Sequence, residues 1–291
     1  MSTFPPAWLD LREAVDAASR SPPPAELLAR SRPNNGPLHI IDLACGTGAN
    51  LRYLAPRLGG EQQWTLIDND PVLIEAMPGR LAAWASAGDA DFIPNLAGAM
   101  VCRAPGLECR ARTRVLDLAG GLEQLDFGEA HLVTASALLD LVSMDWLEAL
   151  AGYCRRCGAG VLFALTYDGH MSFDPPACGD EQIRALVNRH QQTDKGFGPA
   201  LGPAAVRSAL GLFAGLGYRM QAAQSDWQLG ADEGSLQHAL IDGWLGAAVA
   251  IAPDKAAQLE AWSRDRCMQI EASRLRVTVG HTDVAGWLPR N

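Results

Sequence analysis

Three carboxylates and two glycines in this chain have the spacing of a binding site. In "IIDLACGTGAN", residues 40–50, an apolar run reaches Asp42 and gives way to a tight turn with Gly46 and Gly48. A second run, "WTLID", ends at Asp68 and is followed by Asn69. A third, within "CRARTRVLDL", leads to Asp117 and Leu118. A glycine turn lets a ligand come close to the backbone where a Cβ would collide. Phosphate is one such ligand, but a P-loop needs Gly-x-x-x-x-Gly-Lys-Ser/Thr, and neither the lysine nor the hydroxyl is in place. A dinucleotide turn reads Gly-x-Gly-x-x-Gly, with the pyrophosphate at a helix N-terminus. Here Leu51 stands at the third glycine position, and Asp42 sets a negative charge where a pyrophosphate gains nothing from it.

A ligand with a cationic group accounts for that carboxylate. S-adenosylmethionine has no phosphate, and its sulfonium and amino group are positive. "DLACGTG" resembles the first motif of the class I S-adenosylmethionine-dependent methyltransferase family, Asp/Glu-x-Gly-x-Gly-x-Gly, with Ala44 at the first glycine. The resemblance implies that Asp42, Ala44, Gly46 and Gly48 border the methionine portion of this cofactor. It implies that Asp68 and Asn69 meet the ribose, whose two hydroxyls suit a carboxylate. Asp117 and Leu118 would meet the adenine, and Ser136 the region beside the sulfur. NAD enzymes also place a carboxylate on the ribose, so Asp68 by itself does not discriminate. An NAD-dependent oxidoreductase and a noncatalytic partner protein that binds the cofactor are the alternatives.

The elements that must hold these residues alternate between strand and helix from residue 38 to 167. "LHIID" and "WTLID" read as strands, "GANLRYLAPRL" as the helix between them, and Asp70-Pro71 as an N-cap followed by proline at the first helical position. "CRARTRVLDL", "AHLVTASAL" and "AGVLFALTY" give three further strands. Strand cores this apolar are buried on both faces, as in a parallel sheet between helices. Near the C-terminus, "RLRVTVGH" alternates like a half-exposed strand. The family resemblance implies an α/β fold: a doubly wound, mostly parallel seven-stranded sheet with an antiparallel last strand and helical insertions, a Rossmann-like methyltransferase fold. The expected organisation is an N-terminal helical arm at 1–36 and a cofactor-binding core at 37–230, with a loop or lid at 168–202. A helical insertion at 231–273 and the last strand at 274–291 complete it.

In doubly wound sheets the ligand lies beyond the carboxyl ends of the strands. The acceptor is therefore expected beyond the fourth and fifth strands, near Ser136, Ala137, Tyr167, Asp168 and His170. Methyl transfer is an in-line displacement in which alignment supplies much of the rate. An oxygen acceptor also has a proton to lose, and Asp168 and His170 are the candidate catalytic bases, against the plain reading of a solvated loop. His190, Asp194 and Lys195 fall in the expected lid. Trp244 and Trp262 either wall an apolar acceptor or fill a core. Arg12, on the N-terminal helix, is a candidate for the cofactor carboxylate. "FDPPA" resembles the Asp-Pro-Pro-Tyr motif of amino-group methyltransferases, but it follows the fifth strand and has Ala177 in place of the ring, so it reads as a rigid loop.

Composition narrows the partners. Over 291 residues the formal net charge is −9 and hydrophobic residues make up 48%. That balance opposes nonspecific attraction to nucleic acid and anionic lipid, so the expected partner is a small molecule, with no nucleic acid and no membrane. No apolar run approaches the roughly 20 residues that span a bilayer. The seven cysteines form no framework; Cys154 and Cys157 make a CxxC without a second pair, so no metal is expected. The N-terminus lacks a basic-then-apolar signal pattern, and a cytoplasmic location is the expectation.

Overall fold

The computed structural model describes residues 5–289. In chain order it begins with α1 (Pro6–Ser19) and α2 (Ala25–Ser31), followed by β1 (Leu38–Leu43), α3 (Ala49–Leu58), β2 (Gly60–Asp68) and α4 (Pro71–Ala87). A hairpin of β3 (Asp91–Leu96) and β4 (Ala99–Ala104) precedes β5 (Leu107–Val115). Next come β6 (Leu132–Ser136), α5 (Met144–Cys157), β7 (Gly160–Asp174), α6 (Asp180–Gln191) and α7 (Ala205–Gly215). The remainder is β8 (Arg219–Gln224), β9 (Trp227–Leu229), α8 (Gly234–Ile251), α9 (Ala256–Glu271) and β10 (Arg276–Trp287).

Local chemistry sets several boundaries. Asp70 caps α4, its Oδ1 accepting the N–H of Val72 at 2.9 Å, and Pro71 occupies the first helical position. Ser143 caps α5 through the N–H of Trp146, and Gly158 stops that helix in the left-handed region, φ 76°. Cys154 and Cys157 thus close a helix; Cys154 is buried, and both are free thiols. Asp254 does not cap α9, because residues 253–255 form a short 3-10 turn ahead of it.

The sheet runs β3-β4-β5-β2-β1-β6-β7-β10-β8, with β9 also paired to β10. β5, β2, β1, β6 and β7 are parallel, while β10 is antiparallel to both β7 and β8. Without the additions the order is β5-β2-β1-β6-β7-β10-β8. This is the doubly wound, mostly parallel sheet expected from the sequence, with its switch point between β1 and β6. Among the described residues the sheet has ten strands rather than seven. The β3–β4 hairpin turns through Ala97 and Gly98, both with positive φ, and β9 lengthens the antiparallel edge.

Helices cover both faces. Ile41, Leu43, Val133, Val161 and Phe163 point into a core shared with α5 and α7. Leu38, Ile40, Leu66, Leu132 and Leu162 point the other way, against α3 and α4. The period of two along β1 and β7 puts neighbouring residues into opposite cores, which explains their unbroken apolar runs.

A third core lies past the carboxyl ends of the parallel strands. The sequence reading of 168–202 as a loop is corrected here. β7 continues through Asp174, pairing with β10 from Asp174–Arg276 to Met171–Val279, and α6 follows. This paired arm, β9 and helices α6, α8 and α9 enclose Phe173, Ile183, Trp244, Trp262, Leu275 and Val277. The lid and the helical insertion therefore belong to one cap, built on strands that grow out of the sheet. Among the described residues no helix is long and apolar enough to cross a membrane.

Candidate functional site

The strand–turn–helix from β1 to α3 is folded by residues with unusual backbone angles. Ala44, Gly46 and Gly48 all have positive φ, at 53°, 54° and 83°. Glycine is at ease there; Ala44 is strained by roughly 1–2 kcal/mol. The turn brings Cys45 N–H onto the carbonyl of Ile67 at 2.9 Å and Gly46 N–H onto Asp68 Oδ2 at 2.8 Å. Asp68 Oδ1 also accepts the N–H of Asp70 at 3.0 Å. The amide of Leu116 donates to the Asp68 carbonyl, so Asp117 follows on the next strand end. Asp42, Asp68 and Asp117 thus lie along one edge, at the ends of β1, β2 and β5, on the side of the glycine turn. Asn69 is exposed beside Asp68. Asp117 is exposed and accepts the N–H of Ala119. Leu118 differs from expectation: its side chain is buried in the core against α5, and its carbonyl takes the Trp146 indole N–H at 2.7 Å.

Asp42 is fully buried at the switch point. Its Oδ1 accepts Asn50 Nδ2 at 2.6 Å, and its Oδ2 has no partner among the described residues. Burial pushes its carboxyl up to about 7, opposed by the Asn50 hydrogen bond and the Arg20 charge and reinforced by Asp68. Burial likewise raises Asp68, against the backbone N–H groups of Asp70, Gly46 and Asn69.

Helix α1 lies over this edge. A Cβ on Gly46 would come within 3.1 Å of Leu9 Cδ1. Glu13 pairs with Arg52 at 2.6 Å, and Asp10 with Arg80 at 2.6 Å. On its other side α1 meets the cap: Arg12 is bound to Asp16 at 2.8 Å and lies over the Trp227 ring at 4.9 Å, while the Trp227 N–H donates to Asp16. Arg12 therefore does not meet Asp42; its charge reaches Asp140 and His281 instead. Among the described residues, buried polar atoms without partners include Trp8 Nε1 on α1, Arg20 Nε at its end, and Asp42 Oδ2 and Thr47 Oγ1 on the strand–turn unit. Native interiors leave few such atoms. An open groove of about 470 Å³ lies on the outer side of α1, lined by Ala14, Ala18, Gln224 and Asp226, away from the acidic edge.

The proposed acceptor side lies beyond β6 and β7. Ser136 and Ala137 end β6, with Ala137 N–H on the Ala164 carbonyl. Asp140 follows in a short 3-10 turn and is buried. Burial raises its carboxyl to about 6, against the backbone N–H groups of Asp140 and Tyr167 and the charges of Arg12 and Lys195. Tyr167 donates to Asn188 Oδ1 at 2.7 Å. His281, opposite Tyr167 on β10, lies 3.1 Å through Nδ1 from the Val279 carbonyl, so Nδ1 carries the proton and Nε2 the lone pair. Burial and the Arg12 charge push His281 down to about 3, so its ring is neutral. Lys195 donates to His190 Nδ1 and Thr193, and Asp194 accepts the backbone N–H groups of Gly196 and Gly198 in the same segment.

Asp168 and His170 are placed differently from expectation. They stand on the arm where β7 runs past the sheet, opposite Gly280, whose position has no room for a Cβ. Asp168 accepts the N–H of His170, and His170 is exposed. Both residues belong to a strand irregularity there. Trp244 and Trp262 pack on Phe173 inside the cap, at 5.7 and 5.6 Å, and wall no acceptor. Arg20, Asn50, Asp140 and His281 carry no local motif; only the α1 cover and the antiparallel β7–β10 pairing bring them to the site.

No family model and no curated protein sequence matches this chain. Among solved structures, it is similar to phosphoethanolamine N-methyltransferase 2 of Haemonchus contortus in complex with phosphomonomethylethanolamine and S-adenosylhomocysteine: 13% identity, 91% of this chain, 52% of that chain, TM-score 0.43. The chain thus spans about half the length of that protein. It is also similar to a geranyl diphosphate methyltransferase in complex with S-adenosylmethionine, at 11% identity, 91% of this chain, 83% of that chain and TM-score 0.42. The YcgJ protein of Bacillus subtilis aligns at 11% identity, 87% of this chain, 92% of that chain and TM-score 0.46. Overlaps this loose carry no argument about function, and the strand order and the acidic edge stand on their own.

Proposed function

We propose that this chain is an S-adenosylmethionine-dependent methyltransferase of class I, acting on a small polar acceptor. The observation that carries the reading is the alignment of Asp42, Asp68 and Asp117 along one edge of a doubly wound sheet, on the same side as the Gly46 turn. The unpartnered Asp42 Oδ2, buried at the switch point, fits a cationic ligand group and opposes a pyrophosphate. In this reading Asp42 faces the ammonium of the cofactor, Asp68 its ribose and Asp117 its adenine amino group. The cofactor, when bound, supplies an activated methyl group.

The chain's own residues then align and deprotonate. Ser136 and Ala137 form the floor beside the reacting carbon. Asp140 is the base we assign: it is held by two backbone N–H groups, and its proton affinity lies close to neutral pH, where a base works best. An oxygen nucleophile is the acceptor that such a base serves. The neutral His281 and Tyr167 line the same side, so the acceptor we infer is polar. An NAD-dependent oxidoreductase gains no support from the site, since the carboxylate of Asp42 stands where the pyrophosphate would go.

Calorimetry on the full chain tests the reading. S-adenosylhomocysteine is expected to bind with micromolar affinity, and Asp68→Ala to weaken it at least tenfold. Binding of NADH with no response to either adenosyl compound would end the proposal.

A further inference from the structure

Lys195, in the segment after α6, is a half-buried cation that meets no carboxylate among the described residues. Its ammonium donates to His190 Nδ1 at 3.2 Å and to Thr193 Oγ1 at 3.0 Å. Both acceptors are neutral, since burial and the Lys195 charge hold His190 below the ordinary histidine range. An ammonium has three N–H donors. The third has no acceptor among the described residues. The adjacent carboxylate, Asp194, is committed to its own loop: its Oδ1 accepts the backbone N–H groups of Gly196 and Gly198 at 2.7 and 3.0 Å. A charge drawn partly out of water is ordinarily matched by an opposite one.

The segment lies against the turn that follows β6. Leu201 N–H donates to the Val142 carbonyl at 2.8 Å, and the Phe197 ring meets Trp146 edge-on at 5.5 Å. A Cβ on Gly198 would stand 3.6 Å from Ser143. That turn holds Asp140, and two cations act on its carboxyl, Arg12 and Lys195. Arg12 is already paired with Asp16, whereas Lys195 has only neutral partners. Asp140 acts on Lys195 in turn, opposing the burial that holds the ammonium below the usual lysine range. The two charges still form no ion pair, because each is anchored. Backbone N–H groups of Asp140 and Tyr167 hold the carboxylate, and His190 and Thr193 hold the ammonium. Opposite charges kept apart in this way suit a molecule with an anionic oxygen for the one and a hydroxyl for the other.

We propose that Lys195 selects a methyl acceptor that carries an oxyanion, a carboxylate or a phosphate, beside the hydroxyl that Asp140 deprotonates. The proposal rests on the methyltransferase reading above and deepens it by naming the acceptor class. The hydroxyl oxygen gives its proton to Asp140 and bonds to the methyl carbon as the carbon–sulfur bond breaks, the electron pair of that bond staying on sulfur. The oxyanion on Lys195 takes no part in the exchange and is still present on the product. Lys195 is thus a specificity determinant, and a compact ammonium with one open N–H fits a single anionic oxygen.

The chain has two lysines, Lys195 and the exposed Lys255, so NMR of the full chain with isotope-labelled lysine gives one signal for the site and one internal control. The sample is saturated with S-adenosylhomocysteine and titrated with inorganic phosphate, with salicylate, or with the uncharged salicyl alcohol. A saturable shift of the Lys195 signal is expected with at least one of the two anions, while Lys255 stays still and salicyl alcohol does nothing. Which anion acts tells a phosphate from a carboxylate. No saturable shift with either anion, or an equal one with the alcohol, overturns the assignment. Methyl label traced from S-adenosylmethionine into a metabolite extract gives a second reading. The labelled product is expected to stay on an anion exchanger at neutral pH. Lys195→Gln should slow the transfer about 10- to 100-fold at limiting acceptor, the worth of a hydrogen bond to a charged group. The same variant should leave S-adenosylhomocysteine affinity within about threefold, and Lys195→Arg should recover most of the rate. An uncharged product, or transfer by Lys195→Gln at the wild-type rate, overturns the role of Lys195 and leaves the methyltransferase reading standing. Failure of the wild type to bind S-adenosylhomocysteine removes that reading, and this inference with it.

Discussion

Two buried arginines serve opposite ends of this molecule. In the cap, Arg266 is fully buried and spends its charge inside the chain: it pairs with Asp180, donates to the Pro175 carbonyl and to Gln269, and lies over the Phe173 ring at 4.7 Å. Trp262 donates to the same Asp180. At the sheet edge, Arg20 is almost as buried but reaches only an amide and an aromatic face. The difference separates a charge closed on a carboxylate from one held by an amide and a ring. Removing one member of a closed ion pair strands a charge, while removing Arg20 strands only the amide oxygen of Asn50.

The largest expected effect tests that contrast directly. Arg266→Met leaves the half-buried Asp180 without its cation and should lower stability by about 3 kcal/mol, read by urea unfolding. Arg20→Met, which strands the Asn50 amide oxygen but no charge, should cost about 1–2 kcal/mol in the same assay. Equal losses would make both arginines structural and erase the distinction.

Next comes Asp42. Its carboxyl is raised from 3.8 to about 7 in the folded chain, so the fold binds a proton that the unfolded chain has already released. Its contribution is therefore full below about pH 4 and is lost as pH rises toward 7. Asp42→Asn should remove this part of the slope, gaining on the order of 3 kcal/mol relative to wild type between pH 4 and pH 8. Melting temperatures at both pH values check it; parallel curves would mean that Asp42 is ionised throughout. The same sign predicts proton release when an ammonium ligand binds near pH 6.5, visible as a buffer-dependent calorimetric enthalpy.

Asp140 and Asp168 make a smaller comparison. With methyl label traced from S-adenosylmethionine into a metabolite extract, Asp140→Asn should slow transfer about 100-fold. Asp168→Asn and His170→Ala should each stay within about threefold. The reverse pattern would return the base to the arm. The smallest effect belongs to the turn: Ala44→Gly relieves a φ of 53° and should stabilise the chain by about 1 kcal/mol, seen as a shift of a few degrees in Tm.

Legibility in the sequence followed the range of the interactions. The β1–α3 unit, the Asp70-Pro71 cap and the three acidic strand ends could be read because each is written in a few consecutive residues. The β3–β4 hairpin escaped because its turn is Ala97-Gly98, without the Asn-Gly or Asp-Gly signature of such turns. Gly169 and the prolines after Asp174 made β7 look as if it stopped at Tyr167, yet pairing with β10 carries it seven residues further. Arg20, Asp140 and His281 gain their meaning from groups far away in the chain, which no local pattern records. Ala44 was legible as the mildest departure from a glycine motif, but its strain was visible only in the backbone angle.

The arm formed by β7 and β10 also decides how the molecule opens. Both strands pass from the sheet into the cap, bent by irregularities near Gly280 and Asp283 but never interrupted. Cap and sheet are thus one mechanical piece without a hinge between them, and the width of the gap they frame is set by the fold. Of the walls around that gap, α1 is held on one side by the Glu13–Arg52 and Asp10–Arg80 ion pairs and on the other by the Trp227–Asp16 hydrogen bond.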